Sequence, residues 1–146
     1  MTLRSPLQWP PTWERTKRRI RSQFRIEPSK ARRELYDELE RLGATSVVVT
    51  TSARLNLDGS IASRQPWGTD PAVAVYFTRK GRDFCIPCDM FETVDGNIRA
   101  VGLTIANIRA QERWGTSQMV DAAFSGYAAL PAAAAGQSWW TVLGVA

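Results

Sequence analysis

The stretch AVAVYFTRKGRDFCIPCD, residues 72–89, constrains the fold more than any other part of the chain. Val73, Val75 and Phe77 alternate with neighbours that point the other way, Lys80-Gly81 supplies a tight turn, and Phe84 and Ile86 restore the alternation on the way back. Two antiparallel strands with an apolar face need further strands and a cover. The run TSVVVTTS, residues 45–52, is β-branched without helical logic and is expected to be a strand buried on both faces or nearly so. Between the two lies a long irregular stretch, in which Asp58-Gly59 offers a hairpin turn and RQPWGTDP a further break.

The cover comes from segments with a helical period. In PSKARRELYDELERLG, Ser29 after Pro28 is placed as an N-cap, Ala31, Leu35, Leu39 and Leu42 recur along one face, and Gly43 suits the left-handed residue that ends a helix. Asp37 and Arg41 stand in the favourable i,i+4 order. After Asp89 the period changes: Asp89 and Glu92 form a variant capping box, and Val94, Ile98, Val101, Ile105 and Ile108 make a second stripe that Gly115 should end. Thr116 or Ser117 caps a further helix carrying Val120, Phe124 and Tyr127, which stops before Pro131. These patterns predict an α+β fold: a single domain over residues 29–130, with a mainly antiparallel sheet of three to five strands and helices packed on one face.

A basic N-terminal arm, residues 1–28, precedes this body. Residues 1–33 hold ten basic groups against Glu14 and Glu27, whereas the whole chain carries only +5, so the remainder is net acidic. The arm reads as a helix starting after Thr12, with Trp13, Ile20 and Phe24 near one face and Pro28 as its limit. Arg15, Lys17, Arg18, Arg19, Arg21 and Arg25 are then candidates for neutralising the phosphates of DNA or RNA, and Trp13 is a candidate for stacking on an unpaired base. The competing expectation is that the arm packs on its own domain, with its arginines paired to the acidic helix that follows.

Histidine is absent, which excludes Ser-His-Asp and Cys-His catalytic units and any His metal ligand. Cys85 and Cys88 form the only chemical spacing motif, and extended backbone there points the two thiols to opposite faces, favouring free, packed cysteines over a redox pair or a zinc site. Asp70 and Lys80 bracket the VAVYF strand as in metal-dependent nuclease cores, but Thr78 stands where the second acid belongs. The expectation is a noncatalytic domain with no cofactor and no metal. MTLRSPLQWPP carries no apolar run of the secretory kind, and QSWWTVLGVA is too short to span a bilayer, so a cytoplasmic protein without membrane contact is expected.

PAAAAGQ reads as a small-residue linker, residues 131–137, ahead of a closing segment at residues 138–146. There WWTVLGVA resembles the first residues of a J domain, the co-chaperone module of DnaJ-like proteins. Upstream, PLQWP (6–10), VAVYF (73–77), NIRA (97–100), QERWG (111–115), FSGYAALP (124–131) and SWW (138–140) resemble the N-terminal domain of phage or prophage J-domain proteins. The resemblance implies an N-terminal domain that ends within the start of its J domain, without the His-Pro-Asp tripeptide that stimulates the chaperone ATPase. It implies a nucleic-acid-associated or adaptor module. The alternative is a protein-interaction module that delivers a client or inhibits a host defence protein.

Overall fold

The computed structural model describes residues 2–21, 27–111 and 117–129. It contains β1 (Thr2–Arg4), α1 (Pro28–Leu42), β2 (Thr45–Thr51), β3 (Val73–Arg79), β4 (Arg82–Cys88), α2 (Val94–Ala110) and α3 (Ser117–Ser125). The hairpin forms as its alternation predicts: β3 and β4 pair antiparallel with Val75 opposite Ile86 and Phe77 opposite Phe84. Lys80 and Gly81 both take positive φ, 51° and 74°, the two-residue turn whose twist matches its strands. β2 joins β3 antiparallel, and β1, which no sequence pattern announced, joins β2 in parallel, giving the order β1-β2-β3-β4. The protein is an α+β domain with a four-stranded, mostly antiparallel sheet.

Alternation sorts the sheet into two faces. Val49, Val73, Val75, Phe77, Phe84 and Ile86 point to the helices and share one core with Leu35, Leu39, Ile98, Val101, Ile105, Val120 and Phe124. Each such side chain, fully buried, contributes about 1.5–3 kcal/mol over leaving it in water. α1 and α2 run side by side in the same direction: Arg32 meets Asp95, Glu34 meets Arg99 and Glu38 meets Arg109. The expected Asp37–Arg41 pair is replaced by Glu38–Arg41, one residue closer along the helix.

Gly102 marks the close approach. A Cβ there would lie 3.6 Å from the Leu35 Cα and 3.8 Å from its Cβ, ordinary van der Waals contact with α1. Gly102→Ala should therefore keep the packing and raise stability by up to about 1 kcal/mol through helix propensity. Gly102→Leu should lower it by roughly 1–3 kcal/mol by forcing the helices apart. Urea unfolding of the two variants, compared with the parent, checks both signs.

The caps differ from expectation. Glu27, not Ser29, is the N-cap of α1, and makes no side-chain capping bond; Pro28, whose fixed φ suits the first turn, begins the helix. Thr93, not Asp89, caps α2, its Oγ1 accepting from Gly96 N at 3.0 Å. Asp89 and Glu92 form no capping box because residues 90–92 are held extended: Ile20 N donates to Met90 O and Glu92 N to Ile20 O. α2 ends at Ala110, and Gly115 lies outside the described residues.

The largest departure is the arm. No helix forms over residues 13–21. The arm instead crosses the face that the helices leave bare, where Val48, Ala74, Tyr76 and Cys85 lie, and covers them with Leu7. Gln8 N donates to Thr50 Oγ1 at 3.0 Å and Tyr76 Oη donates to Gln8 O at 2.6 Å. An apolar sheet face must be covered, and that demand outweighs the weak helix propensity of the segment. At the far edge, Cys85 N donates to Tyr127 O and Ala129 N to Asp83 O, so the β4 edge of the sheet is paired by the segment after α3.

Both cysteines are free and face opposite ways, Cys85 under the arm and Cys88 against the helix-side core. Burial pushes the Cys85 thiol up to about 12, and raises that of Cys88 as well. Among the described residues no helix is long and apolar enough to cross a membrane.

Candidate functional site

The segment between β2 and β3, residues 52–72, has no helix or strand of its own, yet its shape is specified. Gln65 acts as an internal brace: its Oε1 accepts from Arg54 N at 2.6 Å, and its Nε2 donates to Arg54 O at 3.0 Å and Ala62 O at 2.7 Å. Leu55 bridges Ile61 around the turn that Asp58-Gly59 was expected to make, with Asn56 N bonded to Ser60 O and Asp58 Oδ1 accepting from both Ser60 N and Ser60 Oγ. Thr69 closes a second turn onto Pro66 O. Ordered loops of this length inside compact domains usually carry function.

Two large apolar side chains stand on this loop with no cover at all. Leu57 and Trp67 are the most exposed large hydrophobic residues of the described chain, at 110% and 102% of their reference accessibility. Isolated exposed apolar groups are common on surfaces, but a fully solvated indole on a braced loop is a costly arrangement for an isolated domain. Its neighbours Pro66 and Gly68 line a cavity of about 650 Å³ that opens between the loop and the first turns of α1 and α2. Asp95 lines it. Asp95 Oδ1 is buried without a hydrogen-bond partner, the nearest cation being Arg32 Nε at 3.9 Å, and burial pushes the Asp95 carboxyl above the usual range.

The residues that the sequence marked as a basic surface divide into two groups. Arg15 is built into the fold: its Nη2 lies 2.6 and 2.8 Å from the two oxygens of Asp70, its Nε 2.8 Å from Asp89 Oδ2, and its guanidinium 4.8 Å from the centroid of the Trp9 ring. The hydrogen bond to Asp70, more than any other contact, raises its pKa further. Arg19 reaches Asp70 at 3.4 Å, and Trp13 stacks on Tyr127 with centroids 5.6 Å apart and planes 4° from parallel. The acids that receive the arm are thus Asp70 and Asp89, not those of α1. Lys17, Arg18 and Arg21 are exposed and make no ion pair among the described residues, and Arg25 lies outside them.

Asp70 and Lys80 sit at opposite ends of β3, and each already has an ionic partner, Arg15 and Asp121 respectively. Among the described residues no three His, Cys, Asp or Glu side chains come together as a metal site would require. Trp67 and Leu57 were not singled out in the sequence. The available signal was two large apolar residues within segments otherwise made of turn formers. No protein-family profile, curated protein or solved structure matches this chain.

Proposed function

We propose that this chain is a noncatalytic adaptor domain that holds a protein partner on the loop between β2 and β3, with Trp67 as the anchor. The observation that carries this reading is the braced loop that keeps Trp67 and Leu57 in solvent beside a cavity. Tryptophan is among the residues most enriched at interface hot spots, and a rigid presenting loop loses little conformational entropy on binding. On the resemblance to phage-type J-domain proteins, such a module would deliver a client or inhibit a host defence protein.

Trp67→Ala should leave the thermal midpoint within about 2 °C of the parent, because a solvated side chain contributes little to folding. The same change should weaken partner binding at least tenfold, about 1.4 kcal/mol or more. The partner is identified by a photocrosslinking residue placed at Leu57, and its affinity is then measured by calorimetry for both proteins. A partner bound equally well by Trp67→Ala overturns the reading.

A second reading rests on the outward cations Lys17, Arg18 and Arg21, which the arm holds in place without neutralising them. If these contact a polyanion, replacing all three with Gln should flatten the dependence of log K on log salt for DNA or RNA, which falls by roughly 0.9 per neutralised phosphate on duplex DNA. Binding that is absent at low salt, or insensitive to the triple variant, removes this reading and leaves the first untouched.

A further inference from the structure

The turn that closes the β3–β4 hairpin reads Arg79-Lys80-Gly81-Arg82, and its register sets Arg79 directly opposite Arg82. Two guanidinium groups therefore leave the same face at the same end of the sheet. Like charges directly opposite one another destabilise a strand pair, so a fold selected for stability alone has reason to avoid this arrangement. Lys80 adds a third cation at the turn itself. One carboxylate answers two of the three: Asp121 of α3, whose Oδ1 lies 2.7 Å from Arg79 Nη1 and 3.2 Å from Lys80 Nζ. Arg82 has no ion-pair partner among the described residues.

Arg79 is in a more demanding position than its single ion pair implies. It is only 6% exposed, its Nε is buried with no hydrogen-bond partner, and its guanidinium lies 5.4 Å from the centroid of the Phe124 ring. A buried guanidinium with an unused donor is expensive unless further acceptors reach it. A cavity of about 320 Å³ lies at this point, walled by Phe84 and bordered by Arg79, Lys80, Arg82, Asp121 and Ser125.

We propose that this cavity is an anion site that takes a phosphate group, with Lys80 and Arg82 as its direct contacts and Arg79 as the buried charge behind them. Three cations against one carboxylate leave an excess of two, which a phosphate monoester at about −1.5 to −2 matches and one further carboxylate does not. Guanidinium forks also fit phosphate oxygens in pairs. Asp121 holds Arg79 and Lys80 while the site is empty. The phosphate belongs either to a monoester, whose charge alone fills the excess, or to a nucleic-acid backbone, where each phosphodiester carries a single negative charge and two neighbouring ones are needed; the oxygens that the guanidinium forks hold are the same. This site lies on the hairpin turn, away from the loop of Trp67, and its test does not depend on that loop.

The experiment is thermal unfolding and calorimetry in sodium phosphate against sodium chloride at matched ionic strength. Phosphate should raise the midpoint of the parent, and Arg82→Gln and Lys80→Gln should each weaken phosphate binding at least fivefold. Asp121→Asn should lower the midpoint in chloride and regain more of it in phosphate than the parent does, because the ligand takes the place left on Arg79 and Lys80. If Asp121→Asn does not fold, the two Gln variants decide, since Lys80 and Arg82 are exposed. Repeating the titration with a nucleoside 5′-monophosphate and with a single-stranded oligonucleotide lacking terminal phosphates identifies the source: a monoester if only the former binds, a backbone phosphodiester if the latter binds and Arg82→Gln abolishes it. A phosphate shift no larger than that of chloride, or one unchanged in both Gln variants, overturns the proposal.

Discussion

Phe124→Ala is expected to lower the unfolding free energy by about 3–5 kcal/mol, the largest effect of any single truncation considered. Phe124 is completely buried, its ring 6.0 Å from that of Phe77 in an edge contact at 82° and 5.8 Å from that of Phe84 at 57°. α3 has nine residues, too few to hold a helix in water without tertiary packing. Its attachment is Val120, Phe124 and the ion pairs of Asp121, so removal of the ring opens a cavity and frees the helix together. The segment after α3 should follow, because Tyr127 O is the acceptor for Cys85 N at the edge of β4. Urea denaturation gives the energy, and hydrogen exchange at the Cys85 amide reports the edge. A loss under about 1 kcal/mol, with that amide still protected, would show that α3 is held by something other than this ring.

Asp89→Ala is expected to cost roughly 2–4 kcal/mol, because it removes the anchor of the arm in one step. The carboxylate is buried and accepts from Thr16 N at 2.8 Å, Thr16 Oγ1 at 2.5 Å and Arg15 Nε at 2.8 Å. Without it the Thr16 amide loses its acceptor and Arg15 keeps only Asp70. Burial works against the ionised form of Asp89, but the hydrogen bonds from Thr16 and Arg15 outweigh it and hold the carboxyl below the usual range. A folded pKa below the unfolded one gives stability that is fully present above the unfolded value, near about 3.9, and lost as the pH falls through the folded value. The deficit of Asp89→Ala should therefore be largest at neutral pH and shrink in acid, as the parent loses the same contact. Parallel urea titrations at neutral and acidic pH test this, with hydrogen exchange at the Gln8 amide reporting release of the arm. A deficit that does not change with pH would mean that the anchor is not the ionised carboxylate.

Periodic elements were legible in the sequence because their signal is local. The stripe Ala31, Leu35, Leu39 and Leu42 is buried as its spacing requires, as are Ile98, Val101, Ile105 and Ile108, and the alternation of β3 divides Val73, Val75 and Phe77 from Ala74 and Tyr76. A helix or strand with such a pattern has one way to bury it. Caps were read less well: Ser29 and Asp89 both have the right chemistry, but α1 starts two residues earlier, at Pro28 with Glu27 as its N-cap, and the pairing of residues 90–92 with Ile20 delays the α2 cap to Thr93.

The site was harder to read for the same physical reason. Trp13 and Ile20 stand at helical spacing within a basic segment, and nothing nearby in the chain argues against a helix. What decides their conformation is distant: Asp70 is 55 residues from Arg15, Asp89 is 74, and the sheet face that needs covering exists only after β2, β3 and β4 have paired. Ion pairs, hence the division between the committed Arg15 and Arg19 and the outward Lys17, Arg18 and Arg21, follow from that docking and not from the charge run. Likewise Gln65 reads as one polar residue in a loop until its three hydrogen bonds show that it holds Trp67 in the open. The sequence by itself determined α1, β2, β3, β4, α2 and α3 and which of their faces are apolar, since these depend on side chains a turn or a pleat apart. Only the tertiary structure decided where the arm lies and which side chains remain in solvent, since those depend on contacts between residues that the chain keeps far apart until it has folded.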